Sequence, residues 1–180
     1  MLQAILNDEH LAGALTEALG SCRHRLVIST ADVKNLHVPT GSGRGRRGGA
    51  RSIVDVFGDL SERNIEVRLL HSGVPSGPFL ARLKEGPIPP TLTMRRCPRV
   101  HAKAIIADGR WMYLGSANLT GAGLGAKSAR RRNFEAGICT DDLHLIDTVG
   151  DMLERIWTGA ECDHCGRKAH CPVPLEEPDL

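Results

Sequence analysis

Polar and apolar residues alternate through Val100-His101-Ala102-Lys103-Ala104-Ile105-Ile106-Ala107, the pattern of a β-strand with one buried face. The alternation predicts His101 and Lys103 on one face, with Ala102, Ala104 and Ile106 on the other. Asp108-Gly109 is a hairpin turn pair, and Trp111 to Ser116 reads as the returning strand, which would carry Ser116 and Asn118 back beside His101 and Lys103. Leu2, Ile5, Leu6, Leu11, Leu15 and Leu19 recur every three or four residues and predict an amphipathic helix ended by Gly20. Arg25 to Thr30 is a buried strand, residues 31–36 have no period and read as loop, and Ile53, Val54, Val56, Phe57 and Leu60 predict a helix over 52–63. Ile65 to Leu70 alternates and then runs apolar, so strand, helix and strand form a βαβ unit with a parallel core. One or two helical turns over Phe79 to Lys84, strands at Thr91 to Arg95 and Asn133 to Cys139, and a last helix through Leu143, Ile146, Val149, Leu153, Ile156 and Trp157 complete the reading. The expected class is α/β with a mixed β-sheet.

With 180 residues, the chain is one domain by length. The expected division is a folded domain over 1–159 and a cysteine-rich tail over 160–180. No long apolar span is present, and Asp8 and Glu9 interrupt the N-terminal segment, so neither membrane insertion nor a secretory signal is expected, and a cytoplasmic location is. A net charge of +2 names no partner, but its distribution is uneven. Gly41 to Arg51 holds five glycines and four arginines (Arg44, Arg46, Arg47, Arg51) with no acid, and reads as a mobile loop. Lys127, Arg130, Arg131 and Arg132 form a second basic cluster. Arginine forks suit phosphate oxygens, and a solvated loop is the plain alternative. His71, just past a strand, reads as structural. Glu135 stands in an apolar context and needs a partner.

Three of the six cysteines crowd into the tail as Cys162-x2-Cys165-x5-Cys171, a spacing that fits structural zinc rather than a disulfide framework. Cys97 is the preferred fourth ligand, with His170 and then His164 as alternatives. Free or disulfide-linked thiols are the competing reading. Cys22 and Cys139 read as core residues.

His101-x-Lys103-x4-Asp108, then Gly115-Ser116-x-Asn118, then Asn133-x-Glu135, resembles the ordered signature of the phospholipase D superfamily over about residues 99–139. The resemblance implies a phospholipase D-like α/β/α sandwich half-domain, here with a small C-terminal zinc knuckle. It also implies a phosphodiesterase. Two-motif members carry the signature twice, whereas this chain has it once, which implies a homodimer like that of the superfamily's single-motif bacterial endonucleases. His101 would be the nucleophile, forming a phosphohistidine, and the partner's copy the general acid. Lys103 and Asn118 would hold the phosphate oxygens, so that catalysis needs no metal, and zinc would be structural only. Glu135 would hydrogen-bond the imidazole, and Ser116 would support it. Asp108 is the signature's third letter, yet its place before Gly109 favours a turn role.

The signature gives the bond and not the molecule. The basic clusters favour a nuclease acting on DNA, or RNA, through its backbone. The enzymatic alternative is a phospholipase or transphosphatidylase acting on lipid head groups. The third reading is a non-catalytic nucleic-acid-binding subunit. Small size favours low specificity or guidance by a partner protein of a defence or repair system.

Overall fold

The computed structural model describes residues 1–39 and 49–171. In chain order the strands are β1 (Leu2–Leu6), β2 (Arg25–Thr30), β3 (His37–Pro39), β4 (Ala50–Ser52), β5 (Glu66–His71), β6 (Leu92–Arg96), β7 (Lys103–Ala107), β8 (Trp111–Gly115) and β9 (Ala136–Thr140). The helices are α1 (Glu17–Ser21), which continues a π-type segment over Leu11–Thr16, then α2 (Ile53–Glu62), α3 (Gly77–Lys84) and α4 (Leu143–Trp157). Seven strands make one sheet in the order β1-β9-β8-β7-β2-β5-β6, while β3 and β4 pair apart from it. The βαβ reading is realised as β2, β5 and β6 running parallel. From β7 outward every neighbour is antiparallel.

Alternation along β7 divides the apolar residues between two cores. Ile105 and Ala107 join Leu15, Phe57 and Phe79 beneath the first three helices. Ala104 and Ile106 join Ile146, Leu153 and Trp157 of α4 on the other face. Each large apolar side chain so buried contributes about 1.5–3 kcal/mol. Ser52 caps α2 by accepting the Val54 N–H, and Asp142 caps α4 by accepting those of His144 and Leu145.

Three expectations are corrected. Residues 2–6 form an edge strand on β9 and not the first turns of a helix, with Leu2 and Leu6 exposed and Ile5 buried. Apolar spacing over so short a run fits either period, and the decisive partner, β9, is remote in sequence. Leu15 and Leu19 do face the core, so the helical reading holds from Leu11 onward. Secondly, β7 is buried at every residue, because helices cover both faces of this central strand. Thirdly, Arg51 belongs to β4 rather than a loop, and its guanidinium grips both oxygens of Asp59. Arg44, Arg46 and Arg47 lie outside the described residues.

The Asp108-Gly109 hairpin is present. Both residues have positive φ, 54° and 65°, and Arg110 N–H bonds Ala107 O at 3.0 Å, as a type I′ turn requires.

Candidate active site

The pairing directions place the ends of β2, β5, β6 and β8 and the starts of β7 and β9 along one edge of the sheet. His101 stands two residues before β7 and is exposed, whereas Lys103, the first residue of β7, is only 6% exposed. Ser29 Oγ donates to Ala102 O at 3.0 Å and fixes the backbone between them. Lys103 Nζ donates to His101 O at 2.7 Å and lies 3.1 Å from both Nδ1 and Nε2. An in-plane position equidistant from the two nitrogens would collide with Cε1, so the ammonium rests against the face of the imidazole. Burial lowers the Lys103 pKa from its ordinary value, with the negative charge of Glu135 opposing.

Ser116 directly follows β8 and Glu135 directly precedes β9, so strand pairing itself brings them together. The Ser116 hydroxyl donates to Glu135 Oε2 and accepts the Ala136 N–H at 3.1 Å. Glu135 Oε1 accepts from Asn133 Nδ2 at 2.9 Å. Among the described residues no hydrogen bond joins Glu135 to His101, so the expected carboxylate–imidazole bond is replaced by bonds to Ser116 and Asn133. Asn118 Oδ1 lies 3.2 Å from Thr30 Oγ1 and accepts the N–H groups of Ala31 (3.0 Å) and Asp32 (3.2 Å). With its oxygen engaged three times, the amide keeps its N–H pair for a ligand.

Asp108 is not at this edge. It follows β7, at the far end of the strand from His101, and accepts the N–H groups of Arg23, His24 and Arg25, each at 2.8 Å, and the Cys22 thiol at 3.5 Å. Partial burial pushes its carboxyl up, but the Arg25, Arg23 and His24 N–H groups and the Cys22 thiol outweigh this and hold it below the usual aspartate value. Asp108 fastens the start of β2 to the hairpin.

Asn7, His10 and Tyr113 were not singled out by the sequence. Asn7, at φ 50°, donates its N–H to Glu135 O at 2.9 Å and accepts the Glu135 N–H on Oδ1 at 3.3 Å. Asn7 O pairs with Nδ1 of the fully buried His10 at 2.8 Å, and His10 packs edge-on against Tyr113 at 5.5 Å. Tyr113 Oη accepts the Ala117 N–H at 3.2 Å. Glu135 and the 116–118 segment therefore rest on one polar layer. An asparagine after a short apolar run is a turn signal, but its partner is 128 residues away.

Of the basic residues, Lys127, Arg130 and Arg131 are exposed on the connection that leaves at Asn118 and returns at Asn133, while Arg132 pairs with Asp8 at 2.8 Å. His71 is buried, with Nδ1 on Gly73 O at 2.8 Å. A cavity of about 600 Å³ lies between α4 and the tail, and neither His101, Lys103 nor Glu135 lines it. Cys22 and Cys139 are buried. Cys97, Cys162, Cys165 and Cys171 line one small cavity, although no group of three or more His, Cys, Asp or Glu side chains among the described residues stands ready to hold a metal ion. No helix among the described residues is long and apolar enough to cross a membrane.

The model of a family described as "Cardiolipin synthase, PLD-like domain" matches residues 15–157. No curated protein matches the chain. Nuc, a phospholipase D family member from Salmonella typhimurium, superposes with a TM-score of 0.64 at 14% identity, covering 100% of this chain and 99% of its own. NucT from Helicobacter pylori gives 0.59 at 15% identity, covering 86% and 95%. The phosphatidylserine synthase of Haemophilus influenzae gives 0.53 at 14% identity, covering 86% of this chain and 38% of its own. Likeness at these identities is a likeness of fold.

Proposed function

The chain belongs to the phospholipase D superfamily, whose members are phosphodiesterases, and from that premise we propose that it is a nuclease cleaving DNA or RNA backbones at a site shared by two copies of the chain. The observation that carries the reading is the exposed imidazole of His101 backed by a nearly buried ammonium, with the amide of Asn118 anchored through its oxygen. His101 attacks phosphorus, and the bond to the leaving oxygen breaks as the second copy's imidazolium protonates that oxygen. The same imidazole, now neutral, takes a proton from water, whose oxygen displaces His101 and regenerates it. Lys103 and Asn118 take the charge on the non-bridging oxygens. Ser116, Asn133 and Asn7 position Glu135 as the carboxylate balancing the cations.

Two observations support the second copy and the polyanion. Phe134, beside Glu135, is 96% exposed, an apolar surface at the rim of a site that holds one histidine per chain. Exposed Lys127, Arg130 and Arg131 sit on the connection between Asn118 and Asn133, where backbone phosphates flanking the scissile one would pass. The test is cleavage of single- and double-stranded DNA, RNA and phosphatidylcholine vesicles, each with a brief EDTA treatment. EDTA-resistant nucleic-acid cleavage that is lost in His101→Ala supports the reading. Turnover of the lipid alone, or nucleic-acid cleavage unchanged in His101→Ala, overturns it.

A further inference from the structure

Four cysteines from two remote parts of the chain meet at one place. Cys97 directly follows β6, and its turn is closed by Cys97 N–H on His71 O (2.8 Å) and Val100 N–H on Cys97 O (2.9 Å). After α4 the chain winds through successive tight turns, with Cys162 N–H on Gly159 O (2.9 Å), Cys165 N–H on Cys162 O (3.2 Å), Lys168 N–H on Cys165 O (3.1 Å) and Cys171 N–H on Lys168 O (3.3 Å). Cysteines thus stand at the first two junctions and at the end of the last turn, with Lys168 at the third junction. None of the four is joined in a disulfide, all are half-buried, and all line a cavity of about 30 Å³. That space suits an ion and little more. The neighbouring groups are those that steady thiolates: Arg99 Nη1 donates to Cys165 Sγ at 3.6 Å, and Arg167 Nη1 donates to Pro98 O at 3.3 Å, joining the tail to the Cys97 turn from both sides.

We propose that Cys97, Cys162, Cys165 and Cys171 bind one zinc ion as a four-thiolate structural site that clips the C-terminal turns to the segment leading into His101. Their side chains do not yet stand as a metal-holding group, so the ion must draw the thiolates inward, as it does wherever metal binding is coupled to local folding. The Cys97 turn is the last turn before His101. A clip there steadies the segment that leads from β6 into His101. The site contributes no group to phosphate chemistry, and it stands or falls separately from the nuclease reading.

The experiment reads metal and thiols rather than turnover. Protein purified under reducing conditions should carry about one zinc per chain, and cobalt substitution should give the absorption intensity of four thiolates. Cys97→Ser should weaken zinc binding about tenfold or more in chelator competition, while Cys22→Ala leaves it unchanged. In the unmutated chain, zinc should protect Cys97 from alkylation together with the three tail cysteines, a measurement independent of how any variant folds. Metal-free protein after zinc loading, a disulfide between Cys97 and the tail, or zinc held by the tail with Cys97 still reactive would each overturn the proposal.

Discussion

The Lys103 ammonium lies 3.1 Å from each ring nitrogen of His101 while its own residue is only 6% exposed. Burial lowers its pKa, so the charged lysine costs stability below its folded pKa, and the cost disappears as pH rises above the unfolded value of 10.5. At neutral pH the cost is present. Lys103→Met should therefore lower kcat by about 10²–10³-fold while leaving Tm unchanged or raising stability by up to about 1 kcal/mol. Turnover and thermal melts of the same preparations check both halves, and a large loss of Tm would contradict the account.

Asp108 should behave in the opposite manner. Asp108→Ala strands three N–H groups and should cost about 2 kcal/mol, with kcat per folded molecule unchanged. Because the folded carboxyl lies below its ordinary 3.8, its contribution is full above that pH and is lost as pH falls through the folded value. Denaturant titrations at neutral pH and at acid pH below the folded value should show the wild-type advantage over the variant shrinking. A fall in kcat without loss of stability would return Asp108 to the chemistry.

Asn7→Gly keeps the left-handed turn and removes only the side-chain grip on Glu135. We expect about a tenfold fall in kcat from misplacement with little change in KM. Asn7→Ala should add about 1 kcal/mol of backbone cost at φ 50°. Equal activity in the wild type and both variants would show that Glu135 needs no support from β1.

What could be read in advance follows from distance along the chain. The hairpin was legible because Asp108-Gly109 encodes its own turn, and α2 and α4 because each carries several turns of one apolar face. The N-terminal strand was not, because Leu2, Ile5 and Leu6 fit a helix until β9 is known to lie beside them. His101, Lys103, Ser116 and Asn118 could be gathered from one hairpin. Asn7 could not, since its bond to Glu135 spans 128 residues, nor could the loss of Arg132 to Asp8 or of Arg51 to Asp59. Lys103's depth depends on helices covering both faces of β7, which alternation within the strand does not encode.

A Cβ added at Gly123 would stand 2.7 Å from Asn118 O and 3.0 Å from Asn118 N, both backbone atoms that cannot swing aside. Gly123→Ala should cost about 1–3 kcal/mol and displace Asn118, so that kcat falls further than the same substitution at Gly150, where nothing lies within 4 Å. Matched activity of the two variants would argue against a positioned Asn118.

Phe134→Glu tests the shared site. Sedimentation should show the wild type at twice the chain mass and the variant shifted to monomer, with specific activity rising with protein concentration as copies associate. An active monomer would end the two-copy mechanism.

The two ends of β7 carry separate duties: His101 and Lys103 enter at one, and Asp108 with its collar of backbone N–H groups closes the other. Mutational tolerance should divide along the same line. Substitutions around residues 22–25 and 108–110 are the place to raise thermal resistance without trading away turnover, whereas the opposite rim must keep a buried cation that a purely stability-driven selection would discard.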